Sequence, residues 1–185
     1  VLEIDHVIYF VPRREHVDLA GFAIDPGRVH TGQGTRNVRV VFDRNYLEVV
    51  WIKHPDDVRA RGLDFIGRCA RPATAVPFGL VLRGKLASHD GFTPYELPDA
   101  PGIFLMTLSP QPADAPFVAV FELDGLANRL RGAAAHPCGA TRIERVVFTT
   151  PVAPALPEIA GVSFEVGAPR LALELGGCTR QFDAT

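Results

Sequence analysis

Short runs of β-branched and aromatic residues, each soon stopped by proline, glycine or aspartate, recur from one end of the chain to the other. Such a pattern suits a sheet-rich fold with tight connections and leaves little room for long helices. Leu2 to Val11 reads as a buried strand that ends at Pro12, with Ile4, His6, Ile8 and Phe10 on one face and Val7, Tyr9 and Val11 on the other. IDHVIYFVP beginning at Ile4 lines up with IERVVFTTP beginning at Ile143. YLEVV around Glu48, VFELD around Glu122 and LALEL around Glu174 each set a glutamate inside an apolar strand. Three copies of a strand–helix–hairpin unit account for both patterns, with Arg145 standing where the first copy has His6.

The rest of the chain fits that plan. Asn37 to Phe42 and Tyr46 to Ile52 form an expected hairpin, joined by Asp43-Arg44-Asn45. A short helix through Val17 and Leu19 is expected after Pro12. Pro55-Asp56-Asp57 suits the first turn of another, because proline gives up no needed donor there and acids complement the positive end of the helix dipole. Val58, Leu63, Phe65, Ile66 and Cys69 continue it as an apolar stripe. Further strands are expected at Phe78 to Leu82, Ile103 to Leu108, Phe117 to Leu123, Ile143 to Thr149, Val162 to Val166 and Arg170 to Leu175. Gly84 to Gly102 reads as a polar lid or loop, and Asp124 to Gly132 as a short capped helix through Leu126 and Leu130. Many hairpin-linked strands with few helices point to an α+β fold, not a doubly wound parallel sheet.

Within this frame Glu48 is out of place. Tyr46, Leu47, Val49, Val50 and Trp51 surround it, and an ionised carboxylate in a half-buried strand is costly unless paired, protonated or bound to a metal. His6, on an apolar strand of its own, is the first candidate partner. The alternative is an arginine such as Arg36 or Arg39. Between them the loop His30-Thr31-Gly32-Gln33-Gly34-Thr35 offers donors to an anion, with Asn37 following. Neither GxxxxGK[ST] nor GxGxxG occurs, which argues against nucleotide phosphate. No serine lies in a nucleophile elbow, and Cys138 is separated from His136 by proline, so covalent catalysis has little support.

The totals exclude several classes of partner. Nineteen lysines and arginines against 21 acids leave a formal charge of −2, without the electrostatic footprint of a nucleic-acid or membrane-surface protein. No apolar run approaches a membrane span, and acids interrupt the first apolar stretch, unlike a signal peptide. A cytoplasmic location is the default expectation, and three cysteines without CxxC spacing read as reduced thiols.

IDHVIYFVP, GRVHTGQGTRN, YLEVVW and PFVAVFEL, followed by HPCGA at His136, together resemble the glyoxalase-like domain family of the vicinal oxygen chelate superfamily. The resemblance covers almost the whole chain. It implies paired βαβββ modules whose curled mixed sheets form a concave, open-barrel cleft. The expected organisation is one domain over residues 1–185, with modules at 1–53 and 75–123 and a partial third repeat at 140–176. The superfamily includes lyases, dioxygenases, epimerases, transferases and metal-free binding proteins, so fold alone does not select a reaction.

Carried over position by position, the resemblance makes His6 and Glu48 the first-module metal-ligand pair and Glu122 the strand-end glutamate of the second. The strand Phe78 to Leu82 offers no histidine. One imidazole and two carboxylates would suit a divalent zinc, manganese, iron or nickel ion. His6, Glu48 and Glu122 are therefore the expected catalytic and metal-binding residues, and His30, Thr35, Asn37 and His136 the expected ligand-binding ones. The implied function is a small-molecule lyase or isomerase, with a metal-free binding or sequestration module as the alternative. Nucleic acid and membrane are not expected partners, and a homodimer is compatible with the reading.

Overall fold

The computed structural model describes residues 1–70, 75–122 and 134–184. The first strands are β1 (Leu2–Phe10), β2 (Val29–His30), β3 (Thr35–Val41) and β4 (Tyr46–Ile52), followed by the short helices α1 (Pro55–Ala60) and α2 (Phe65–Ala70). A second set follows as β5 (Phe78–Gly84), β6 (Phe92–Glu96), β7 (Phe104–Leu108) and β8 (Phe117–Phe121). These strands form one mixed sheet in the order β2-β3-β4-β1-β5-β8-β7-β6. The two halves mirror each other: β1 pairs parallel with β4 and β5 parallel with β8, while β1 and β5 meet antiparallel at the centre. The sheet curls into a half-barrel, which is the expected α+β architecture with its concave cleft.

A third unit contains β9 (Arg145–Thr150), β10 (Val162–Val166), β11 (Arg170–Glu174) and β12 (Thr179–Asp183). Its order is β10-β9-β11-β12, so the strand after β9 lies beside it in parallel, as in neither earlier half. Arg145 and Glu174, in the positions matching His6 and Glu48, make an exposed ion pair of 3.5 Å. This second sheet covers the convex face of the first. Val7, Tyr9, Phe78 and Leu80 meet Phe148, Leu171, Leu173 and Phe182 in one buried cluster. Each such side chain contributes roughly 1.5–3 kcal/mol of burial, so the sandwich is the main source of rigidity behind the cleft.

The concave face carries the opposite residues of the same strands. Ile8, Phe10, Val50, Val81 and Phe117 pack there against Phe65 and Cys69 of α2. Arg68 holds α2 down, because its buried guanidinium donates to the carbonyls of Val76 (2.9 Å), Ala115 (2.8 Å) and Pro112 (3.1 Å). Burial pushes Arg68 down to about 10, which leaves it charged at neutral pH.

Several local expectations change. The β1–β5 register shifts between Ile4 and His6, a bulge at Asp5. Ile4 therefore joins the inter-sheet core with Val7 and Tyr9 instead of sharing the face of His6 and Ile8. The expected single helix from Pro55 to Cys69 is two, broken where Gly62 takes φ +70°. The helix expected through Val17 and Leu19 is a single 3₁₀ turn at Arg14–His16. Gly84 to Gly102 is not all loop, since it contains β6, which pairs antiparallel with β7 beyond it. The helix expected at Asp124 to Gly132 lies outside the described residues.

Candidate functional site

The cleft opens on the concave face, with about 680 Å³ of space including its mouth. His6 and Ile8 of β1, Asn37 of β3 and Glu48 of β4 form its floor. Val81, Leu105, Phe117 and Phe121 from the second half form an apolar wall. Leu63, between the helices, and Phe65 of α2 face them. Tyr95, Leu97 and Asp99, from the stretch expected to be a lid, line the cleft as well.

Its polar centre is a chain of buried groups. Asp5 Oδ2 lies 2.7 Å from His6 Nδ1, and His6 Nε2 lies 3.4 Å from Glu48 Oε2. In a regular strand Asp5 and His6 would point to opposite faces; the bulge sets them side by side. The His6 ring stacks on Tyr46 with centroids 4.3 Å apart, which fixes its plane. On the other side of Glu48, Asn37 donates its amide N–H to Oε1. The backbone N–H of Arg28 in turn donates to Asn37 Oδ1 at 2.7 Å, which orients that amide. Gly27, at φ +61°, allows this approach, because a Cβ there would come within 2.3 Å of Asn37 Oδ1.

His6 is 5% exposed and Glu48 7%, so each needs the other to stay charged. Burial works against the imidazolium, yet hydrogen bonds to Asp5 and Glu48 and their negative charges outweigh it and raise His6 to about 9. Burial likewise opposes the Glu48 carboxylate, and the hydrogen bond and charge of His6, with His30 and Asn37, hold it down at about 2. At neutral pH the floor of the cleft therefore holds an imidazolium–carboxylate pair.

His30, the last residue of β2, completes the arrangement. Its Nδ1 is 2.8 Å from Thr35 Oγ1, to which Gln33 donates at 3.0 Å, and its Nε2 is 3.6 Å from Glu48 Oε1. Burial lowers His30, partly countered by Glu48, so it is the neutral histidine of the two. The amides of Gln33 and Gly34 both donate to the His30 carbonyl, closing the turn instead of facing an anion.

Of the residues expected from the sequence, His6, Glu48, His30, Thr35 and Asn37 come together. Glu122 does not join them. It lies just past β8, accepts the N–H of Leu86 at 2.8 Å and faces His89 Nε2 at 2.7 Å. His136 is buried away from the cleft floor, where Ala23 N–H donates to its Nδ1 (3.1 Å) and its Nε2–H donates to Val41 O (3.1 Å). Arg39 goes to Asp25 and Arg36 lies over Trp51, so neither neutralises Glu48. Asp5 and Tyr95 do not stand out in the sequence. Asp5 is hidden by the bulge, and Tyr95 by the polar character of its edge strand.

As a metal centre the side chains fit poorly. His6 Nε2 and Glu48 face each other as an ion pair, and the third expected ligand is engaged elsewhere. Among the described residues no group of three or more His, Cys, Asp or Glu is arranged to hold a metal ion.

A family model described as a glyoxalase-like domain matches residues 4–160. Among solved structures, a hypothetical protein from Staphylococcus aureus is similar, with a TM-score of 0.55 and 12% identity over 99% of this chain and 99% of that one. At that identity the likeness bears on fold alone. No curated protein matches.

Proposed function

The chain belongs to the glyoxalase-like domain family, and on that premise we propose that it is a small-molecule lyase or isomerase whose chemistry is proton transfer next to a carbonyl. The observation that carries this reading is the buried His6–Glu48 pair, braced by Asp5 and Asn37, at the floor of an apolar-walled cleft.

The charges assign the roles. A substrate carbonyl oxygen takes the Nε2–H of the His6 imidazolium, which supplies the positive charge that stabilises a developing enolate. Asp5 holds the opposite nitrogen, so the ring keeps its orientation while it gives up charge. Glu48 removes the proton from the adjacent carbon. In the resting pair it is a weak base, but a carbonyl that takes over the His6 hydrogen bond also removes the contact that holds Glu48 so low. Where that carbon bears a hydroxyl, returning the proton to the former carbonyl carbon while His6 takes the hydroxyl proton gives isomerisation; expelling a β-substituent gives elimination. Neutral His30 stands beside Glu48 and can relay the proton. The apolar wall excludes water and accepts a substrate with an aliphatic or aromatic body. No step runs through a metal.

Deuterium uptake tests this without knowledge of the natural substrate. A panel of small ketones, aldehydes and 2-oxo acids is incubated in D₂O with the protein and a chelator, and exchange at the carbon next to the carbonyl is followed by NMR. Parent protein is expected to catalyse exchange for at least one compound, and Glu48→Gln to slow it by roughly 100-fold or more while still binding it. Compounds that bind and raise the melting temperature but never exchange would overturn the enzyme reading and make the cleft a binding module.

A further inference from the structure

Outside the cleft, the structure brings two of the three cysteines together. The segment leading into β9 runs antiparallel to the turn between β11 and β12. Thr141 N–H donates to Leu175 O at 3.2 Å. Two residues along, Gly139 O lies so close to Gly177 that a Cβ there would sit 2.7 Å from it. Residue 141 thus meets 175 and 139 meets 177, which makes neighbours of Cys138 and Cys178, the residues next to Gly139 and Gly177. Their side chains interact directly, and both pack on the inter-sheet core while remaining half-buried. Cys69 is a buried residue of α2, in the other cluster.

We propose that Cys138 and Cys178 form an oxidisable dithiol, a covalent modification site at which a hydroperoxide or a small-molecule disulfide converts the two thiols into one disulfide. A disulfide needs Cβ atoms about 3.5–4.5 Å apart, and side chains that already touch need only a small movement to close one. With a hydroperoxide, one thiolate attacks the terminal oxygen and the O–O bond breaks, giving a sulfenic acid and releasing the alcohol, or water where the oxidant is hydrogen peroxide. The second thiol then displaces water from the sulfenic acid as the S–S bond forms, so the two-electron oxidation of the dithiol consumes one peroxide. With a disulfide reagent, two successive exchanges release two reduced thiols. Burial and the neighbouring thiol push Cys178 up, which makes its thiolate scarce at neutral pH and the reaction faster as pH rises.

The bridge would tie the segment carrying His136 to the second sheet. Cys138 N–H already donates to Gly21 O at 3.0 Å, and His136 braces Val41 at the end of β3, so oxidation fastens the far side of the strand that carries Asn37.

The full chain, reduced and then held with oxidised glutathione at mildly alkaline pH, tests this by thiol titration and peptide mapping without reductant. The expected result is loss of two titratable thiols, a link between the peptides holding Cys138 and Cys178, and a melting temperature higher by roughly 5–10 °C. Cys138→Ser and Cys178→Ser should each take up one glutathione at the surviving thiol and show no such rise. Three thiols surviving the treatment, or a link made through Cys69, would overturn the proposal.

Discussion

Glu48 is ionised in an apolar strand because His6 is charged beside it, and the dependence runs both ways. Glu48→Gln removes the negative partner while keeping the shape, so burial regains influence over the imidazole. The His6 pKa is expected to fall from about 9 by at least about one unit, followed by NMR titration of the ring protons. A His6 that still titrates near 9 in the variant would show that Asp5 alone sustains it. Residue by residue, the legibility of this site follows the same physics. An acid among Leu47, Val49 and Val50 demands a partner, so Glu48 and His6 stand out from the sequence, and the HxGxGTxN element brings His30, Thr35 and Asn37 with it. Asp5 does not stand out, because strand alternation sends it to the other face and only the bulge returns it. Glu122 shares the sequence pattern of Glu48 but falls just past the end of β8, where Leu86 and His89 take it.

At the scale of elements, the β3–β4 turn is fastened to the third unit by one side chain. Asn45 Nδ2 donates to Ile143 O at 2.9 Å, and Asn45 Oδ1 accepts Ile143 N–H at 2.8 Å, both buried. Asn45→Ala leaves two backbone groups without these partners and should cost about 2–3 kcal/mol, seen as a lower denaturant midpoint with an unchanged slope. A loss below about 0.5 kcal/mol would mean that water replaces the amide at little cost. Strands with a clear apolar period, such as β1, β4, β5 and β8, were readable within a residue or two. β6 and β12 were not: Phe92–Glu96 has an alternation masked by Thr93, Pro94 and Glu96, and Thr179–Asp183 buries only Phe182. Edge strands show less apolar pattern because one side of their ladder faces solvent.

For the whole molecule, the floor pair ties stability to pH. The His6 pKa is raised from 6.5 to about 9, so its contribution is full below 6.5 and is lost as pH rises through 9. The Glu48 pKa is lowered from 4.5 to about 2, so its contribution is full above 4.5 and is lost as pH falls toward 2. Both are complete between 4.5 and 6.5. Thermal unfolding is therefore expected to be most resistant in that window and to weaken on the alkaline side by on the order of 3 kcal/mol, a loss absent from a His6→Gln, Glu48→Gln double variant. A parent protein equally stable across the alkaline range would contradict the charged pair.

The mirrored halves of the large sheet differ in what they present to the cleft. β1, β3 and β4 supply His6, Asn37 and Glu48, while β5, β7 and β8 supply Val81, Leu105, Phe117 and Phe121. On the proposed function, one half of the sheet thus carries the groups that act and the other shapes the space around them. If that function holds, substitutions along the apolar half retune which molecule is accepted without disturbing those groups, and the scaffold takes new substrates one wall residue at a time.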